Sequence, residues 1–199
     1  MSEIDTPTAV DALMDAVSYE FDDLGYLREA LTHASYRNEH QSASDNERLE
    51  FLGDSILGAV VAHLLTELFP QHDEGHLTRY KAVLVSELGL VETARSIDLG
   101  RYLLLGRGES LSGGREKASV LANAMEALIA AIYLDGGFEA AFGVIERLYE
   151  DRLTRVGNKE RRVDFKTKLQ ERAQSRFHQL PRYEILSWSG PDHAREYEA

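Results

Sequence analysis

The chain has no cysteine among its 199 residues. That excludes disulfides, thiolate metal ligands and cysteine nucleophiles, and it suits a reducing compartment. Long apolar runs are also missing. The longest, Ile56 to Leu65, is too short to span a bilayer, so no membrane partner is expected. The opening Met-Ser-Glu-Ile-Asp has neither the basic nor the apolar segment of a signal peptide, and a cytoplasmic location is expected. No internal repeat or low-complexity tract is visible. Positive charge is scarce: 22 Lys and Arg stand against 34 Asp and Glu, a net charge of -12. That balance argues at first against a nucleic-acid partner.

The deficit is uneven. Residues 1–160 carry 14 basic against 28 acidic side chains, whereas residues 161–199 carry 8 against 6. An acidic catalytic body followed by a mildly basic binding segment would produce this pattern. So would an ordinary acidic surface, which charge alone favours. The composition, 43% hydrophobic and 28% charged, is that of a soluble globular protein. The length suits one sizeable domain with a small second one.

Periodicity predicts helices over most of the first 157 residues: about Thr8 to Tyr19, Leu24 to Leu31, Glu47 to Phe69 ending at Pro70, His76 to Ile97, Lys117 to Leu134 and Phe138 to Arg155. Tyr36 to Ser44 reads as a loop, and Ser44 to Glu47 as capping residues for the helix that follows. Gly106 to Gly114 reads as a Gly-rich loop, and Asp135-Gly136-Gly137 as a helix end. Gly157 to Glu160 reads as the start of a linker. Beyond it, Asp164 to His178 is helical in pattern, Tyr183 to Trp188 alternates as a strand, Ser189 to Asp192 is a turn, and Arg195 to Ala199 opens a paired strand.

Chemistry concentrates in two apolar helices. At 100° per residue, Glu47, Glu50 and Asp54 fall within roughly a 60° arc of one helix. Asn123 and Glu126, three residues apart, share a face of another. Facing each other, the two helices would converge Glu50, Asp54, Asn123 and Glu126 as an all-oxygen set of the kind Mg²⁺ or Mn²⁺ accepts; zinc would want histidine or thiolate. Buried hydrogen-bonded carboxylates, or for Glu47 a solvated helix face, are the other reading of the same residues.

The run Asn46-Glu47-Arg48-Leu49-Glu50-Phe51-Leu52-Gly53-Asp54-Ser55 resembles the signature of the ribonuclease III family. The segments Ala30 to Tyr36, Asp73-Glu74-Gly75 with Leu77-Thr78-Arg79, Leu105 to Gly114 and Leu121 to Asp135 resemble further blocks of that family in the same order. Asp164 to Glu171 is similar to the first helix of a double-stranded-RNA-binding domain, and Gly190-Pro191-Asp192-His193 to its first loop. The resemblance implies a mainly α fold: an all-helical endonuclease domain over 1–157, a linker over 158–163, and the start of an α/β RNA-binding domain, helix plus β-hairpin, over 164–199.

It also implies a homodimer that cuts double-stranded RNA, leaving 5′-phosphate and 3′-hydroxyl ends with short 3′ overhangs. Ribosomal RNA precursors and other structured transcripts would be its substrates. Asp54 and Glu126 would be the central catalytic pair, with Glu50 and Asn123 as further metal ligands and Glu47 and Glu74 as accessory acids. Phe51 matches a dimer-interface position, or is ordinary core. Thr167, Gln170, Glu171 and His193 would touch RNA minor grooves.

Two departures qualify the resemblance. The family's usual residue at 123 is Asp; Asn keeps a ligating carbonyl but removes one negative charge, so weakened metal-dependent cleavage is expected. The RNA-binding module ends before the third strand and the Lys-rich helix, so weak, salt-sensitive duplex binding is expected. A non-cleaving RNA-binding or scaffold member is the alternative function. An unrelated helical hydrolase acting on nucleotides is a third; the Gly-rich loop does not fit a phosphate-loop pattern.

Overall fold

The computed structural model describes residues 7–40, 44–181, 187–189 and 196–198. They divide into two units, Met1–Leu153 and Thr154–Ala199. Among the described residues the regular elements of the first are helices: α1 Pro7–Val17, α2 Leu24–Ala30, α3 Ala34–Glu39, α4 Glu47–Leu68, α5 Glu74–Leu84, α6 Glu87–Ser96, α7 Leu99–Tyr102 and α8 Arg107–Leu111, with a 3₁₀ turn at Gly114–Glu116 before α9. The helical trace of α9 is Ala118–Phe177 and carries one non-helical residue, Gly137 (φ 79°, ψ -175°). The expected helix end at Asp135–Gly137 is therefore a break at a single residue, in a backbone conformation that glycine adopts without strain. Asp135 has other work. Its carboxylate accepts the Tyr19 hydroxyl at 2.7 Å and the Asp22 and Asp23 amides at 3.0 and 2.8 Å, tying the α1–α2 connection to α9.

Three expectations are corrected by capping and long-range bonds. The stretch read as a loop from Tyr36 contains most of α3. The His33 ring starts that helix by accepting the Ser35 amide, and Glu39 at its end accepts the Arg107 amide at 2.8 Å. The Gly-rich loop holds α8 and the 3₁₀ turn. The single helix expected over His76 to Ile97 is α5 and α6, because Ser86 turns out of helical geometry and caps a new start on the Gly89 amide at 3.1 Å.

The core lies where α4 meets α9. Leu57, Val60 and Val61 of α4 and Met125, Leu128 and Ala130 of α9 are almost wholly inaccessible. By length and apolar content alone, α4 and the 118–157 part of α9 could cross a membrane. Their buried faces instead form this core, with Ala30 of α2 and Leu49 of α4 clustered against Ala127, Ala130 and Ala131.

In the second unit the backbone over 158–163, expected as a linker, is helical and runs on to Phe177. Its charged residues (Lys159, Glu160, Arg161, Arg162) are good helix formers and no proline interrupts them. A short hairpin follows: β1 Ser187–Ser189 pairs antiparallel with β2 Glu196–Glu198, Trp188 opposite Tyr197. The expected strand residues 183–186 and turn residues 190–192 lie outside the described residues.

Candidate active site

The site is built by a close approach of two backbones. A Cβ placed on Gly53 would overlap the carbonyl of Glu126, so α4 sits against α9 only because residue 53 has no side chain. The acidic residues stand within one helical turn of that contact. Glu50 and Asp54 flank Gly53 on α4; Asn123 and Glu126 lie on the facing stretch of α9.

The start of α4 is fixed separately. Asn46 occupies the N-cap position but makes no capping bond with its side chain. Its side-chain amide donates to the Ala30 carbonyl at 3.2 Å, and its backbone amide donates to the Thr32 carbonyl at 2.9 Å. Asp45 beside it is buried and meets Arg37 as an ion pair at 2.6 Å, while its other oxygen takes the Glu47 amide at 3.4 Å. The residues expected to cap α4 therefore mostly anchor it to the α2–α3 corner. The Ala30 carbonyl is a helix-end acceptor that needs a partner, and Asn46 supplies one there and another to the Thr32 carbonyl just beyond α2.

Charge is strained at the centre. Burial, then the negative charges of Asp54 and Glu50, push the Glu126 carboxyl up from 4.5 to about 7. Glu50 is also raised, by burial and by the charge of Glu47, against the lowering effect of a hydrogen bond from Asn123. Thus Glu50 pairs with Asn123, and Glu126 feels Asp54 and Glu50.

Full convergence of the four on one point is not what the side chains show. Among the described residues no three Asp, Glu or His side chains form a ready group of metal ligands. Three carboxylates repel one another, and the Asn123 amide is a compensating donor to Glu50. In chemical type the set fits a hard divalent cation: every donor is oxygen, and Glu126 sits in a negative field that a cation would relieve.

The other expected residues are more scattered. Glu47 and Asp54 are exposed. Glu74 is the exposed first residue of α5, where its carboxylate accepts the Thr78 hydroxyl at 3.2 Å. Phe51 is 80% exposed, so the core reading of that residue is excluded within the chain. Thr167, Gln170 and Glu171 lie on the last part of α9, and His193 lies outside the described residues.

A family model described as Ribonuclease-III-like matches residues 23–153, which include α2 to α8 and Glu47, Glu50, Asp54, Glu74, Asn123 and Glu126. The chain belongs to the ribonuclease III family. Ribonuclease 3 of Syntrophotalea carbinolica is 48% identical over 187 residues, covering 93% of this chain and 81% of that protein. The solved nuclease domain of ribonuclease III from Campylobacter jejuni is 40% identical with a TM-score of 0.67, covering 72% of this chain and 95% of that one. A second structure of that domain, concerned with structural flexibility in the region involved in dimer formation, is 41% identical with the same TM-score of 0.67, covering 71% and 96%.

As a ribonuclease III family enzyme, the chain has two site-forming residues that its acidic pattern did not single out, Gly53 and Asn46. Gly53 left a signal. A glycine inside an apolar helix costs about 1 kcal/mol relative to alanine, so it is worth asking what approaches it. Asn46 left none, because its partners are at 30 and 32, on another helix.

Proposed function

We propose that this protein is a metal-dependent endoribonuclease that hydrolyses phosphodiesters in double-stranded RNA. Its products would be 5′-phosphate and 3′-hydroxyl ends with short 3′ overhangs. One observation carries the reading: the Gly53–Glu126 contact holds Glu50, Asp54, Asn123 and Glu126 at the meeting of two helices, with the Glu126 carboxyl raised to about 7 by burial and then by its acidic neighbours. Processing of ribosomal RNA precursors and other structured transcripts in the cytoplasm is the role that follows from such an activity. A homodimer is its working form; the region involved in dimer formation in the Campylobacter jejuni nuclease domain and the exposed Phe51 support it.

Bound by these oxygens, Mg²⁺ or Mn²⁺ would supply Lewis acidity that activates water and offsets charge on the phosphodiester. The chain's own residues do the rest. Asp54 and Glu126 present anionic oxygens from opposite helices. Asn123 holds Glu50 in place through its amide and offers a neutral carbonyl oxygen. Glu47 and Glu74, both exposed, add negative charge around the centre. Thr167, Gln170, Glu171 and His193 would read the duplex through its minor grooves, by shape and 2′-hydroxyls rather than by sequence.

The test is incubation of the protein with a long RNA duplex, with and without Mg²⁺, followed by analysis of product ends. Metal-dependent cleavage to short 3′ overhangs is the expected result. Binding without cleavage, restored to cleavage by Asn123→Asp, would assign the non-cleaving reading to this one substitution. Binding without cleavage in both proteins would overturn the catalytic reading.

A further inference from the structure

A groove of about 320 Å³ opens in the first unit between α2, α3 and Ser44, in the segment ahead of α4. None of the acidic residues of the active site lines it. One wall is Gly25, Arg28 and Glu29 of α2 with Thr32 just beyond that helix; the other is Tyr36 of α3 and His40, its C-cap, one helical turn apart. The Tyr36 and His40 rings stack on each other, centroids 4.0 Å apart and planes within 14°. A hydrogen bond between the His40 ring and the Tyr36 carbonyl at 3.1 Å holds that arrangement. Thr32 forms the floor, with its hydroxyl committed to the Arg28 carbonyl at 2.7 Å. The same Thr32 takes the Asn46 amide, so the floor of the groove is bonded to the residue from which the acidic helix starts.

We propose that this groove receives an unpaired nucleobase of the RNA substrate. The chemistry is that of a base site. The outer face of a preformed pair of parallel, stacked rings offers a stacking platform, and every base has a π-face that such a platform accepts. Glu29, half-buried beside the platform, can accept from the exocyclic amino or ring N–H groups that bases carry on their edges. Arg28 places a cation on the rim of an otherwise acidic body, suited to the phosphate that accompanies a base. Gly25 leaves the far side without a side chain; a Cβ there would press on the neighbouring Asp23 carboxylate. A volume near the lower end of ligand pockets fits a nucleotide and not a folded partner. A paired base cannot enter, since its face is covered by its stacked neighbours; an unpaired end, bulge or loop nucleotide can. The groove would thus make the enzyme sensitive to interruptions of the duplex.

The proposal rests on the RNA-cleaving reading, and the experiment separates the two. Binding of the whole protein to a blunt RNA duplex is compared with binding to the same duplex carrying unpaired nucleotides at its ends or in a bulge, by fluorescence anisotropy without cleavage-supporting metal. The unpaired nucleotides are expected to tighten binding about tenfold. Tyr36→Ala and His40→Ala are expected to abolish that gain while leaving blunt-duplex binding unchanged. His40→Phe, which keeps a planar ring at an exposed position, should retain it and shows that the fold is intact. AMP added as competitor should erase the gain if a free nucleotide fits the same groove; its failure to do so assigns the site to bases within a chain. An equal affinity for both duplexes in the native protein, or a gain that survives both alanine variants, would overturn the proposal. Should the protein cut neither duplex with Mg²⁺, the catalytic reading falls while the binding comparison still decides the groove.

Discussion

Glu126 holds two tendencies in opposition. Its helix buries it, and its neighbours across the Gly53 contact are negative. Folding therefore raises its carboxyl from 4.5 to about 7. Below pH 4.5 the folded and unfolded chains are both protonated and the stability linked to this group is fully present. Between 4.5 and 7 the folded chain keeps a proton that the unfolded chain has lost, so stability falls as pH rises and the contribution is gone above 7. Glu50 shifts in the same direction. Glu126→Gln should remove most of this slope. At pH 8 with divalent ions chelated it should stabilise the fold by about 1 kcal/mol, a figure discounted for the partial exposure of the group. Urea unfolding of both proteins at pH 5 and pH 8 measures it. An unchanged pH slope in the variant would show that the strain lies elsewhere. The same substitution removes a proposed ligand, so a gain in stability with a loss of cleavage is the expected combination.

At the scale of elements, the acidic faces and the pairing of their two helices were legible, and the contacts that fix the pairing were not. The spacing of Glu47, Glu50 and Asp54, and of Asn123 and Glu126, follows from helical geometry and needs no partner to be read. The Gly53–Glu126 contact joins residues far apart in sequence, and the Asn46 bonds to Ala30 and Thr32 join two helices across an irregular segment. No local pattern encodes either. For a similar reason α3 was hidden: its residues are polar, and what holds it is the His33 cap and the Glu39 bond to Arg107.

Two glycines of α4 make the point testable. A Cβ at Gly53 would overlap backbone of α9, whereas one at Gly58 would meet only the flexible end of Lys81 at 3.4 Å. Gly58→Ala should therefore stabilise the protein, by up to about 1 kcal/mol of helix propensity. Gly53→Ala should destabilise it by about 1–3 kcal/mol despite the same propensity gain. It should also lower duplex cleavage by about a hundredfold, since displacing the facing helices by an ångström spoils the alignment of the acids. Thermal melts and single-turnover cleavage of the two variants give the comparison. Equal behaviour of the two alanines would remove the close approach from the account of the site.

On the scale of the whole molecule, charge and apolar surface pull in different directions. Each chain carries a net charge of -12, concentrated in the first 160 residues. Phe51, 80% exposed, sits on α4 directly beside Glu50. An exposed aromatic there is accounted for if a second copy covers it, which is the homodimer proposed above. Two acidic chains repel each other, so salt should strengthen their association by screening. Binding to RNA releases counterions from the nucleic acid and should weaken as salt rises. The two equilibria therefore have opposite salt dependences. Sedimentation should show a larger dimer fraction at 200 mM than at 50 mM salt, conditions between which phosphate-dominated binding falls steeply. Phe51→Glu replaces the apolar contact with a further negative charge. It should give monomers at both salt concentrations and lose cleavage, with an unfolding profile close to that of the native chain, because the side chain is exposed within one copy. Dimers that persist in Phe51→Glu, or that dissociate as salt increases, would place the interface on another surface.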